Sequence, residues 1–96
     1  MSFEEDVEHS IRCYEKANAR AAARTRQMIA ERGADQALSY LVKSPELQQG
    51  FKVLRDSGQL DATFEAVIIR HRERFREDED AIKAAEWRLD HPYDLL

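Results

Sequence analysis

Residues 3–33 read FEEDVEHSIRCYEKANARAAARTRQMIAERG, and this stretch decides what kind of fold the chain adopts. It contains no proline, and its one glycine is Gly33 at the end. Ser2 and Glu5 have the spacing of a capping box, and a glycine after the last turn is a common helix stop. Alanine and arginine, both strong helix formers, dominate the middle. The stretch therefore predicts one unbroken helix over about 3–32, about 45 Å long.

An apolar stripe runs along this predicted helix in steps of seven residues. It comprises Val7, Tyr14, Ala21 and Met28. The companion heptad position holds Glu4, Ile11, Asn18 and Thr25. Because most residues at this second position are polar, a strong leucine zipper is not expected. Close packing through small side chains around 17–23 stays open, and we predict Tyr14, Ala21 and Met28 as interface residues.

The rest of the chain predicts four shorter helices followed by a tail. Apolar spacing, glycines, prolines and candidate caps place these helices at about 35–43, 45–57, 61–72 and 77–89. Phe75 is expected to anchor a bend before the last helix, and Pro92 ends that helix before a short tail at 91–96. We predict a single all-α domain over 1–96, with one long N-terminal helix and a compact helical cluster over about 34–90.

The composition excludes several classes of protein. Apolar residues make up 43% and charged residues 35% of the chain, values that are typical of a helical globular protein. A single cysteine, Cys13, provides neither an internal disulfide nor a zinc-finger framework. No segment has the pattern of a signal peptide or a membrane span, so we expect a cytoplasmic protein with no membrane partner. The net charge of −4 argues against non-specific binding of nucleic acid.

Four cations spaced four residues apart form a candidate binding surface. They are Arg12, Lys16, Arg20 and Arg24, here called the basic ridge. On one continuous helix they would form a row about 18 Å long that could dock onto phosphates or an acidic surface. The more ordinary interpretation is a solvated helix face, or ion pairs with residues 61–96, where ten acids accompany six bases.

Two other patterns resemble functional sites but have simpler explanations. His9 and Cys13 share one helix face, but two ligands do not complete a metal site. Residues 45–72 have the helix–turn–helix order of some DNA-binding proteins. However, the acids Asp61 and Glu65 stand at the start of the second helix, where DNA phosphates would lie. We predict no metal site and no DNA-reading helix.

Catalytic motifs are missing from the sequence as well. The cations at 70–76, followed by acids at 77–80, form the pattern that two consecutive helix dipoles favour. The sequence contains neither a strained nucleophile turn nor a glycine-rich phosphate loop. We therefore predict a non-enzymatic protein without a cofactor.

Interface residues near the C-terminus complete the functional prediction. Trp87 and Tyr93 lie off the expected inner faces, and they either fold back over the core or anchor a contact. The leading hypothesis is a protein–protein interaction module that forms a homodimer through its first helix. A 45 Å helix would extend beyond a cluster roughly 25 Å across and would need cover. The alternative is a nucleic-acid-associated accessory protein that binds phosphates through the basic ridge.

Overall fold

Regular structure in residues 1–95, the part of the chain that this computed structural model describes, is entirely helical, as predicted. The α-helices are α1 (Phe3–Asn18), α2 (Ala23–Arg32), α3 (Ala34–Lys43), α4 (Gln49–Asp56), α5 (Phe64–Arg70) and α6 (Glu79–Asp90). Short 3₁₀ turns flank α5 at Leu60–Ala62 and Arg72–Phe75. The longest helix is α1, with 16 residues. Within the described part, no helix has the length and apolar character that crossing a bilayer requires.

The predicted single helix over 3–32 is wrong, because α1 ends at Asn18. Ala19 has a left-handed backbone conformation, with φ 56° and ψ 31°. The chain turns through residues 19–22, here called the connector, before α2 begins. It then doubles back, so that the Arg26 guanidinium reaches Glu8, 18 residues earlier, at 2.9 Å.

Burial of apolar side chains accounts for the bend. With the connector bent, Ala22 is buried in the core and Ile29 packs against it, whereas a straight helix would hold both away from the other helices. The molecule measures 34 × 30 × 26 Å. A 45 Å helix that overhangs the core is therefore not present, and that argument for a dimer does not apply to this structure.

The start of α1 follows the prediction. Ser2 Oγ accepts a hydrogen bond from the Glu5 backbone N–H, and the Glu5 carboxylate accepts one from the Ser2 backbone N–H, each at 3.1 Å. The buried face of the helix carries Phe3, Val7 and Ile11. These side chains join the core cluster, so α1 is fixed both by its cap and by apolar burial.

At the centre of the fold lies α5, which contacts α1, α3 and α6. Its Val67 and Ile68 side chains are fully shielded from solvent. The β-branched run at 67–69 is thus part of a buried helix, as its surrounding pattern predicts. Phe75 is also buried and meets the Phe3 ring edge-on at 5.8 Å, so it anchors the bend as expected.

Several helix boundaries differ from the predicted ones. α4 begins at Gln49 rather than at about 45, because the preceding residues form a turn closed by the Leu47 N–H and the Ser44 carbonyl at 3.0 Å. The N-cap of α5 is Thr63, whose hydroxyl accepts a hydrogen bond from a backbone N–H of the first turn. Asp61 instead lies in a 3₁₀ turn.

The C-terminal tail turns away from α6 at residues 91–93. The His91 ring stacks on the indole of Trp87, with 4.7 Å between the ring centroids. Leu95 is partly buried. Leu96, the last residue of the predicted tail, lies outside the described residues.

Candidate functional site

An apolar cleft of about 610 Å³ opens between the N-terminal helices and α4. Its volume falls in the range of about 300 to 1,000 Å³ that binding pockets usually have. The walls are mainly aliphatic and aromatic side chains, including Ile11, Tyr14, Met28, Leu41, Leu47, Phe51, Leu54 and Phe64. The cleft can therefore hold apolar side chains or an apolar ligand.

Three of the predicted interface residues meet in this cleft. Tyr14 lies on α1, Ala21 on the connector and Met28 on α2, and all three line the cavity. The Tyr14 hydroxyl accepts a hydrogen bond from Asn18 at 3.1 Å, which leaves its own proton free to donate. The bend brings these residues to one cavity, which one straight helix would not do, and their role as interface residues stays a prediction.

A buried ion pair also lines the cleft. Arg88 donates a hydrogen bond to the Glu65 carboxylate at 2.7 Å and another to the Ser44 carbonyl at 2.9 Å. Both charged side chains are less than a tenth exposed. Burial raises the pKa of Glu65, while the guanidinium of Arg88 acts in the opposite direction. Spacing alone does not reveal the pair, since its members are 23 residues apart on different helices.

One small polar side chain belongs to the wall of the cleft. Ser10 on α1 is 2% exposed and lines the cavity. Its hydroxyl adds a polar group to a wall that is otherwise mainly apolar.

Helix α2 forms one wall of the cleft, packs against α3 and is joined to α1 by polar contacts. It has no buried residue. Arg26 clamps it to α1 through Glu15 at 2.8 Å and Glu8 at 2.9 Å. The Glu15 carboxylate also accepts the Ala22 N–H at 2.8 Å. Hydrogen bonds from Arg26 and then from Ala22 lower the pKa of Glu15 to about 2. We call this group the Arg26 clamp.

The predicted basic ridge does not form one row. Arg12 stays on α1 and pairs with Glu8 at 2.9 Å. Lys16 is in the last turn of α1, Arg20 is in the connector and Arg24 is on α2, where it lines the cleft. The break after Asn18 separates them. No ion pair joins these last three cations to another residue within 1–95.

Trp87 and Tyr93 lie outside the cleft. They are 47% and 72% exposed. The Arg55 guanidinium lies 4.9 Å from the centre of the Tyr93 ring and donates to the Pro92 carbonyl at 2.8 Å. The tail is thus tied to α4, while the two aromatic side chains remain accessible for contact.

The remaining polar clusters join helices to one another. Asp6 is buried, and hydrogen bonds from Arg70 and His71 outweigh the effect of that burial and lower its pKa. Because Asp6 lies on α1, these bonds fix α1 to the end of α5. The distance between His9 Nε2 and Cys13 Sγ is 3.5 Å, as the four-residue spacing on one helix face predicts. No group of three or more metal-binding side chains occurs in the described part of the chain.

A second, shallower cleft of about 360 Å³ lies beside α3. Asp78 accepts hydrogen bonds there from the Ser39 hydroxyl and from Lys43, which together lower its pKa despite some burial. Its carboxylate also caps α6. These bonds explain the cluster as a helix cap tied to α3.

No family model, curated protein or solved structure matches this chain.

Proposed function

We propose that this protein is a non-enzymatic interaction module that binds an amphipathic helix of another protein in the cleft lined by Tyr14, Ala21 and Met28. The cleft carries this proposal, because its volume of about 610 Å³ is lined by aromatic, aliphatic and methionine side chains. Helix-in-groove recognition places apolar residues at successive helical turns into such a groove. The flexible Met28 side chain can adjust to different apolar groups.

The charge at the rim of the cleft indicates the charge that a partner helix should carry. Arg24 lines the cleft, and Arg20 precedes the lining residue Ala21 in the sequence. Neither is neutralised by an acid within residues 1–95. A partner helix with acidic residues beside its apolar stripe would meet these cations, which favours fast and selective association.

The perturbed acids support binding rather than catalysis. Glu65 is paired with Arg88, and Glu15 is held by Arg26. A general acid or base must be free to exchange a proton with its substrate. Both carboxylates are instead occupied by guanidinium groups, so they stabilise the walls of the cleft.

A cleft-filling variant tests the proposal. Gly50 lines the cleft on α4, and a Cβ there would lie 3.9 Å from Tyr14, an ordinary contact. Gly50→Trp should therefore fill the cleft without disturbing the core. Gln27→Trp adds a similar ring to an exposed position of α2 outside the cleft, and it serves as the matched control.

The probe is a display library of random helix-forming peptides, selected on the unaltered protein. We expect enriched peptides to carry an apolar stripe flanked by acids. Gly50→Trp should weaken their binding by at least about tenfold, or about 1.4 kcal/mol, while Gln27→Trp leaves it unchanged. Enrichment of no peptide, or equal binding by both variants, would contradict the proposal.

Nucleic-acid binding is the second candidate. It is favoured by Lys16, Arg20 and Arg24, which form no ion pair within residues 1–95. It predicts binding to duplex or single strands that weakens steeply with salt. It further predicts loss of that binding when Arg20 and Arg24 are both changed to glutamate. Binding that is absent at low salt would eliminate this candidate while leaving the peptide experiment unaffected.

A further inference from the structure

We propose that the chain also forms a homodimer by exchanging α1 between two copies, with the connector straightened so that α1 and α2 become one helix over 3–32. This self-association goes beyond the proposed function and does not depend on which peptide the cleft binds. Its basis is a conflict between the connector's sequence and its conformation.

The connector, Ala19-Arg20-Ala21-Ala22, consists of alanine and arginine, which both have high helix propensities. Even so, it interrupts a helix that contains neither glycine nor proline from 3 to 32. Ala19 takes the left-handed conformation, which crowds its Cβ against the following carbonyl and which residues other than glycine rarely adopt. It is the one non-glycine residue with positive φ among residues 1–95. Straightening the connector would remove this strain and restore helical hydrogen bonds.

The contacts that would have to be remade lie between α1 and the other helices. The apolar face of α1 packs in the core, and Asp6 binds Arg70 and His71 at 2.9 Å. Each of these contacts can form equally well with a second copy, because none uses the connector. The bent monomer and the exchanged dimer would then differ in the connector, in the burial of Ala22 and Ile29 that the bend provides, and in the entropy of association.

The position of Arg26 is compatible with the exchange. In the monomer, Arg26 joins α2 to α1 through Glu15 and Glu8. In a two-fold symmetric dimer, Arg26 of one chain would meet the same two carboxylates on α1 of the other chain. The clamp is preserved. The hydrogen bond from the Ala22 N–H to Glu15 is specific to the bent form.

Substitution at Ala19 tests the connector directly. Ala19→Gly relieves the left-handed strain in the monomer and weakens the straight helix, so it should shift the equilibrium toward monomer by at least fivefold. The matched control is Ala17→Gly, at an exposed position that is helical in both forms. It should leave the dimerisation constant unchanged. Deletion of residues 19–22 removes the slack needed to fold back and should give a dimer at every concentration.

The measurement is light scattering after size exclusion, on protein refolded from denaturant at low and at high concentration. Refolding is necessary because α1 must dissociate from the other helices of its own chain before it can exchange. We expect the unaltered chain to yield dimer at high concentration and Ala19→Gly to yield mostly monomer. Monomer under both conditions, together with a monomeric or unfolded deletion variant, would overturn the proposal.

A distance within one chain separates exchange from ordinary surface contact. Spin labels are attached in a Glu4→Cys, Glu31→Cys, Cys13→Ser variant that is diluted with unlabelled protein. The two labels should lie about 40 Å apart if the helix is continuous. A dimer that keeps the short distance of the bent monomer would overturn the exchange. Peptide binding by the cleft can be measured on the isolated monomer, so failure of one proposal does not entail failure of the other.

Discussion

Arg88 is an arginine that the fold has almost wholly removed from water. Its guanidinium is held by Glu65 and by the Ser44 carbonyl, which fastens α6 to α5 and to the segment that precedes α4. A buried pair of this kind adds little net stability compared with apolar side chains, but loss of one partner leaves a charge without compensation. Its main role here is to fix three segments beside the cleft.

We expect Arg88→Met to destabilise the protein by about 3 to 5 kcal/mol, because it leaves Glu65 buried and unpaired. The double variant Glu65→Leu, Arg88→Met should recover most of that loss. Urea unfolding measures both. Arg72→Met is the control, since the Arg72–Glu86 pair is about half exposed at 3.1 Å and should contribute less than about 1 kcal/mol. Equal losses for the single and double variants would contradict this account.

Glu15 makes stability depend on acid. Its pKa is about 2 in the folded protein against an ordinary value of 4.5, so the unfolded chain binds more protons between these values. The stability that Glu15 contributes is therefore fully present above about pH 4.5 and disappears as the pH falls toward 2. Glu15→Gln should be less stable than the unaltered chain near neutral pH, and the difference should vanish on acidification. A difference that stays constant in urea titrations across this range would refute the prediction.

At the scale of elements, α2 is the helix that the core holds least. It buries no residue, whereas α5 buries Val67 and Ile68 completely. A ten-residue helix is marginal by itself in water, so its order depends on the Arg26 clamp and on its contact with α3. Movement of α2 would change the width of the cleft.

Hydrogen exchange should detect this difference. Amides of α2 are expected to exchange faster than those of α5, and Arg26→Ala should speed α2 exchange by roughly fivefold, or about 1 kcal/mol of local stability. Arg12→Ala removes the other cation bound to Glu8 and should leave α2 exchange unchanged. If Arg26→Ala increased the amide exchange rates of all helices equally, the Arg26 clamp would instead stabilise the whole fold.

Helix content and the first cap could be predicted because they depend on neighbouring residues. The capping box of Ser2 and Glu5 and the helical pattern around residues 67–69 are local signals. The structure confirms the cap and places Val67 and Ile68 in a buried helix. The bend at Ala19 has no local signal. It arises because Ala22 and Ile29 gain burial when the chain doubles back, and that gain depends on helices far along the sequence.

Across the whole molecule, the candidate site was only partly predictable. A regular spacing predicted Tyr14, Ala21 and Met28 as interface residues, which stays a prediction, and the structure places all three in the lining of one cleft. The walls contributed by Phe51 and Phe64 and the Glu65–Arg88 pair come from later helices, and only the tertiary fold brings them together. Trp87 and Tyr93 are exposed but lie elsewhere.

The packing of α1 leads to a prediction for the molecule divided in two. Without α1, the core loses Phe3, Val7 and Ile11, so a fragment of residues 23–96 should show little cooperative thermal unfolding by circular dichroism. Addition of a peptide of residues 1–22 should restore cooperative unfolding, because α1 needs no covalent link to pack against the other helices. The same peptide with Ile11→Asp should fail. A fragment that folds equally well without the peptide would show that α1 is dispensable to the core.

The left-handed Ala19 also bears on how the chain is made. Residues emerge from the ribosome in order, and 3–32 appear before any part of α4, α5 or α6 exists to bury them. During synthesis the helix propensity of this segment favours one continuous helix, because the helices that reward the bend with burial have not yet been made. We expect the nascent chain to form one continuous helix over residues 3–32, which the folded monomer does not contain. During synthesis there is therefore an interval before helices α4, α5 and α6 of the same chain are available to pack against α1. In that interval α1 could instead pack against another chain that is being translated from the same messenger RNA.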